Sequence, residues 1–120
     1  MNDNDLIFEA YHGGLPHTEV DMWGNKRWLV KGKCHREDGP AIITPDGTEI
    51  WCYNDVRSRE DGPAVIYKEG IVLWYLDGKR FMTPEKWARA VLNKHEQPSD
   101  PEDVARFLRP ILAKQTKDLI

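Results

Sequence analysis

One seven-residue segment of this chain occurs twice with a single conservative change. Arg36-Glu-Asp-Gly-Pro-Ala-Ile42 returns, 23 residues later, as Arg59-Glu-Asp-Gly-Pro-Ala-Val65. The same step separates Trp28, Trp51 and Trp74, and also Gly24, Gly47 and Gly70. A fixed period of this length marks a repeat array, in which each unit buries its apolar side against the next. One step further back, His12 falls at the position of His35, but Gly13 to His17 lacks the motif. The array therefore reads as two good units preceded by a degenerate one, as terminal units of such arrays are.

Each unit reads as two short strands and two turns. Ala64 to Tyr67 favours an extended backbone, Lys68-Glu69-Gly70 turns the chain, and Ile71 to Leu76 forms a longer strand. Asp77-Gly78 then specifies a tight turn whose two central residues take positive φ. The earlier unit runs Ala41 to Thr44, a turn at Pro45-Asp46-Gly47, a strand Thr48 to Tyr53, and a closing turn at Asn54-Asp55. In the first unit the closing turn is Lys31-Gly32. The expected fold class is mainly β with C-terminal helices (α+β), with an antiparallel meander of hairpins over residues 1–82 and a two-helix segment over 83–120.

The duplicated motif carries residues that chemistry could use. His35, Glu37 and Asp38 lie together, and two carboxylates can divide acid and base roles where their environments differ. Yet the second copy has Ser58 where the first has His35. A catalytic group need not be duplicated, whereas a turn in a repeat must be. Asp38, Gly39 and Pro40, with Asp61, Gly62 and Pro63, therefore read as structural. The Asp accepts a backbone N–H in an Asx-turn, the Gly takes a conformation closed to other residues, and the Pro opens the next strand. Arg36 and Arg59 are placed to pair with acidic residues of the neighbouring unit.

Trp28, Trp51 and Trp74 read as core fillers between hairpins, because the other strands are short. Trp23 lies outside that register, beside Gly24 at a turn, and is the candidate exposed anchor for a partner. Cys34 and Cys52 are too few for a disulfide framework and lack metal-ligand spacing. Neither a phosphate loop nor a nucleophile elbow occurs. No catalytic residue, cofactor or metal is expected, and the chain is read as a non-enzyme.

In a chain of 120 residues, 17 Lys and Arg oppose 20 Asp and Glu, for a net charge of −3. That balance disfavours direct nucleic-acid binding, which needs a basic surface. No apolar run reaches the length of a membrane span. The N-terminus is polar and acidic, unlike a secretory signal, so a cytoplasmic location is expected.

After Phe81 the pattern changes. Thr83-Pro84-Glu85 is a helix start, and that helix should run to about Lys94. Ser99 and Glu102 have capping-box spacing for a second helix. Its apolar stripe is Val104, Phe107, Leu108, Ile111 and Leu112, with Pro110 marking a kink or restart. The first helix is expected to pack onto the meander. The second either packs there too or presents Phe107, Leu108, Ile111 and Leu112 as the candidate partner-binding or homodimer surface.

His35-Arg-Glu-Asp-Gly-Pro-Ala41 followed by Trp51, and Arg59-Glu-Asp-Gly-Pro-Ala64 followed by Trp74-Tyr-Leu-Asp-Gly-Lys79, resemble the MORN-repeat variant family. The likeness spans roughly Lys33 to Arg80 and departs at Ser58, at Asn54-Asp55 and throughout the helical tail. It implies an open β-meander that binds without catalysis, as in many small phage and bacterial proteins, some labelled as antitoxin components. The expected function is therefore a phage-encoded protein-binding scaffold that inhibits or redirects a host bacterial protein, as a defence antagonist or antitoxin-like factor. The alternative is a homo-oligomeric assembly component.

Overall fold

The computed structural model describes residues 15–119. His12 lies outside them. Among the described residues ten strands precede two helices. The first unit holds β1 (His17–Val20), β2 (Lys26–Val30) and β3 (Lys33–Cys34). The second holds β4 (Ile42–Ile43), β5 (Glu49–Ile50), β6 (Cys52–Tyr53) and β7 (Val56–Arg57). The third holds β8 (Val65–Ile66), β9 (Val72–Leu76) and β10 (Lys79–Phe81). Helices α1 (Pro84–Lys94) and α2 (Pro101–Leu119) close the chain.

The architecture is a mainly antiparallel meander followed by two helices, as the sequence predicts. The first and third units have one strand more than their sequence suggests, and the second has two, since its longer strand breaks at Trp51 into β5 and β6. The tight turns explain the extra strand. Lys31-Gly32, Asn54-Asp55 and Asp77-Gly78 all hold both residues at positive φ, the geometry that matches the twist of two flanking strands. A short strand therefore follows each turn and pairs back, as β3 does on β2, β7 on β6 and β10 on β9. The wider turns repeat as well. The N–H groups of Asp21, Thr44 and Tyr67 bond the carbonyls of Asn25, Thr48 and Ile71. The main sheet runs β1-β2-β4-β5-β8-β9-β10, all neighbours antiparallel.

Two apolar clusters result. Leu29, Cys34, Ala41 and Cys52 form a small one within the first two units. Trp74, Leu76, Trp87, Ala88, Val91, Val104 and Leu108 form a larger one, where the helices meet the last unit. Helix α1 starts where its sequence says. Thr83 caps it, its Oγ1 accepting the Lys86 N–H at 3.2 Å. Helix α2 differs from expectation in two ways. Its cap is Asp100, not Ser99: the Asp100 carbonyl accepts from Val104, and its N–H donates to Asp103 Oδ2. Ser99 instead bonds Asn93 Oδ1 at 2.7 Å and ties the interhelical loop down. Pro110 does not restart the helix, which runs unbroken from Pro101 to Leu119.

Helix α2 turns most of its apolar stripe inward. Leu108 is 3% exposed inside the larger cluster, and Phe107 and Ile111 pack against it. Leu112, at the rim, is 36% exposed. The stripe is spent on covering the end of the array, because Trp74, Trp87 and Val91 offer it apolar area within the same chain.

Candidate interaction surface

The duplicated motif is an arginine cradle built around a tryptophan. The Trp28 carbonyl accepts the His35 N–H at 3.0 Å, and the Trp28 N–H donates to the Ala41 carbonyl at 2.8 Å. One residue thus pins both ends of the loop 36–40. The loop folds Arg36 back over the Trp28 ring, with Cζ 4.2 Å from its centroid. Arg36 Nε donates to Asp38 Oδ1 at 3.1 Å, and Nη1 donates to the Pro40 carbonyl at 3.2 Å. The second unit repeats every bond. Trp51 holds Ser58 and Ala64, and Arg59 lies 3.7 Å over the Trp51 ring. Its Nε reaches Asp61 at 2.8 Å and its Nη1 reaches the Pro63 carbonyl at 3.1 Å.

Several expectations are corrected by this geometry. Asp38 and Asp61 accept from the arginine of their own loop instead of capping an Asx-turn, so the arginines do not pair with acidic residues of a neighbouring unit. Gly39 and Gly62 have no positive φ. They are glycine because a Cβ there would lie 2.6 Å from Arg36 Cζ or 2.7 Å from Arg59 Cζ. Trp51 is buried, as a core filler should be, but Trp28 and Trp51 belong to neither apolar cluster. Their rings face guanidinium groups, and Trp28 is only half-buried. Trp74 alone of the three lies in a cluster, covered by Trp87 at 4.7 Å between centroids. Trp87 stands where a further unit's arginine would stand, and its Nε1 donates to the carbonyls of Arg59 and Tyr75. Helix α1 thereby caps the C-terminal end of the array.

The residues with catalytic potential are each engaged in the turns. His35 Nδ1 accepts the Asn54 N–H at 3.1 Å, and Ser58 Oγ accepts the Asp77 N–H at 2.8 Å in the matching place of the next unit. The variable position is therefore a turn cap, which either side chain can supply. His35 Nε2 stands 3.8 Å from Glu37, while Asp38 is engaged by Arg36. Glu37 lines a cleft of about 390 Å³ with Tyr53, Ser58, Glu60, Asp61, Asp77 and Lys94. Lys94 bridges Glu60 at 2.9 Å and Asp77 at 3.1 Å, and His95 bonds Glu60 at 2.5 Å. Burial pushes Glu60 up, but the hydrogen bonds from His95 and Lys94 outweigh it and leave the carboxyl below its ordinary range. Cys34 and Cys52 are free and buried. Burial, with Cys34 close by, pushes the Cys52 thiol up to about 11. Among the described residues no cluster of three His, Cys, Asp or Glu could hold a metal ion. No described helix is long and apolar enough to cross a membrane.

Exposed apolar side chains occur along the array, Ile71 and Met82 among them, and four stand together at its opposite end. Leu15 and Val20 are each 68% exposed, Met22 is 85% and Trp23 is 74%. Met22 and Trp23 form the tip of the first wide turn, where the other units carry Pro45-Asp46 and Lys68-Glu69. That tip is rigidly built. Asp21 Oδ1 accepts the N–H groups of Trp23 and Asn25 at 3.0 and 2.9 Å, and Oδ2 accepts the Asn25 side-chain amide. Gly24 closes the turn at φ +87°. The Asx-turn expected at Asp38 is thus found at Asp21, under the exposed tryptophan.

No family model, curated protein or solved structure matches this chain.

Proposed function

We propose that the chain is a non-catalytic binding scaffold that engages a protein through the first unit of its repeat array. The observation that carries this reading is the rigid Met22–Trp23 tip. An aromatic side chain held by its own turn and left in water is already organised for docking, so little ordering entropy is lost on binding. The array supports the same reading. Its C-terminal end is closed by α1 and α2, and the arginines and aspartates of its duplicated loops are engaged with one another. The resemblance to MORN-variant repeats adds the proposed setting: a protein of a bacterial host, inhibited or redirected in the cytoplasm.

A tagged chain expressed in bacteria tests this. The wild type should capture one host protein in stoichiometric amount, and Trp23→Asp should lose it while unfolding at the same temperature. Equal capture by Trp23→Asp would place the binding surface elsewhere, and a clean result across several hosts would contradict a bacterial partner.

A further inference from the structure

Among the described residues β1 is the outer strand of the main sheet and pairs only with β2. The register decides which of its backbone groups remain. The Asp21 N–H bonds the Asn25 carbonyl across the turn. Bonded pairs alternate along an antiparallel ladder, so Glu19–Arg27 and His17–Leu29 share bonds with β2. Thr18 and Val20 therefore turn their N–H and C=O groups outward. Trp28 agrees with this: opposite Thr18, it spends its own N–H on Ala41, on the other flank of β2.

The interior of the array shows what those outward groups accept. Ala41 and Ile43 stand 23 residues after Thr18 and Val20. They are flanked by Trp28 and Lys26, just as Ala64 and Ile66 are flanked by Trp51 and Glu49. β1 is a strand of the same kind. Its exposed side chains, Thr18 and Val20, alternate toward Met22 on one face.

We infer that β1 is a docking edge to which an extended segment of the partner protein adds as an antiparallel strand. This rests on the first unit being the binding end. A second copy of the chain does not fit, because the symmetric registers that use Thr18 and Val20 all conflict. Pairing Thr18 with Val20 sets Glu19 against Glu19. Shifting one way sets Glu19 against Asp21, and shifting the other puts Pro16, which has no N–H, in a bonding position. Like charges directly opposite destabilise a ladder, and charge on an edge strand is a known guard against self-pairing. An incoming strand with a basic residue opposite Glu19 meets no such conflict. Within the array the residue at the matching place, opposite Ile42, is Arg27. The partner segment is thus basic at its centre, with an aromatic or aliphatic residue opposite Thr18.

The chain supplies its own probe. A capped peptide of sequence Asn-Lys-Arg-Trp-Leu-Val, copied from residues 25–30, would put Arg against Glu19 in the register used one unit on. Added to the full-length protein, it should bind saturably and slow hydrogen exchange at the Thr18 and Val20 amides, with the Glu19 amide protected throughout. Val20→Pro removes an outward N–H that β2 does not use, so it should leave the unfolding temperature unchanged and weaken the peptide by about tenfold or more. Glu19→Lys should weaken it too. Unchanged affinity in Val20→Pro, or no saturable binding, would overturn the inference. So would Thr18 and Val20 amides already protected in the protein alone, with sedimentation separating a second copy from the chain's own residues. If Val20→Pro still captures the host protein and Trp23→Asp does not, strand addition fails while the binding role of the first unit stands.

Discussion

Gly39 and Gly62 occupy equivalent positions, yet their substitution should not cost the same. In both, the missing Cβ makes room for a guanidinium. The Arg36 side chain is 27% exposed and can swing into water, whereas that of Arg59 is 11% exposed. Gly62→Ala would push Arg59 off the Trp51 ring and away from Asp61 and the Pro63 carbonyl. Losing hydrogen bonds of a nearly buried charge costs about 1–3 kcal/mol, and the cation–π contact adds to it. Gly39→Ala should cost clearly less, since displaced Arg36 regains water. Urea unfolding of the two variants checks the order. Equal losses would mean that the cradle is not what fixes these glycines. The sequence showed that these residues are structural but hid how. Repetition exposes a shared role, while a contact between Arg59 and Trp51, eight residues back, leaves no local signature. The spare position beside Gly24 was legible, because Trp23 broke a period that the other tryptophans kept.

Helix α1 is held to the array by an apolar face and a polar end. Trp87, Ala88 and Val91 supply the face; Lys94 and His95 grip Glu60 and Asp77 at the end. The Glu60 carboxyl is held below its ordinary range in the folded chain. A depressed folded pKa contributes stability that is present above the unfolded value and is lost as pH falls through the folded one. The grip should therefore weaken on acidification below about pH 4. Because Glu60 is partly exposed, the loss should stay under about 1 kcal/mol. Comparing melting temperatures at pH 7 and pH 3 for the wild type and Glu60→Gln isolates this group. The variant should show the smaller drop, and an identical drop would remove Glu60 from the account. The start of α1 was readable because Thr83-Pro84 is a local signal. The cap of α2 was not, since Ser99 and Asp100 both suit an N-cap. The tertiary bond from Ser99 to Asn93 decides between them.

At the scale of the molecule the array has two unlike ends. At one, Trp87 takes the arginine's place over Trp74, and α2 covers the result. At the other, among the described residues, β1 is a sheet edge and a rigid Met22–Trp23 tip stands exposed beside it. The meander followed directly from the 23-residue period and its turn residues. The asymmetry did not. An amphipathic stripe such as Val104 to Leu112 reads the same whether it covers its own chain or a partner, and only the apolar area offered by Trp74 and Trp87 settles where it goes. Under the proposed function the first unit is the binding end and the helices are a closure. Hydrogen exchange, compared between the chain alone and the chain bound to the protein it captures, tests this most directly. New protection should fall on residues 15–25. Protection on the loops 36–40 and 59–63, or on the outer face of α2, with residues 15–25 unchanged, would contradict it.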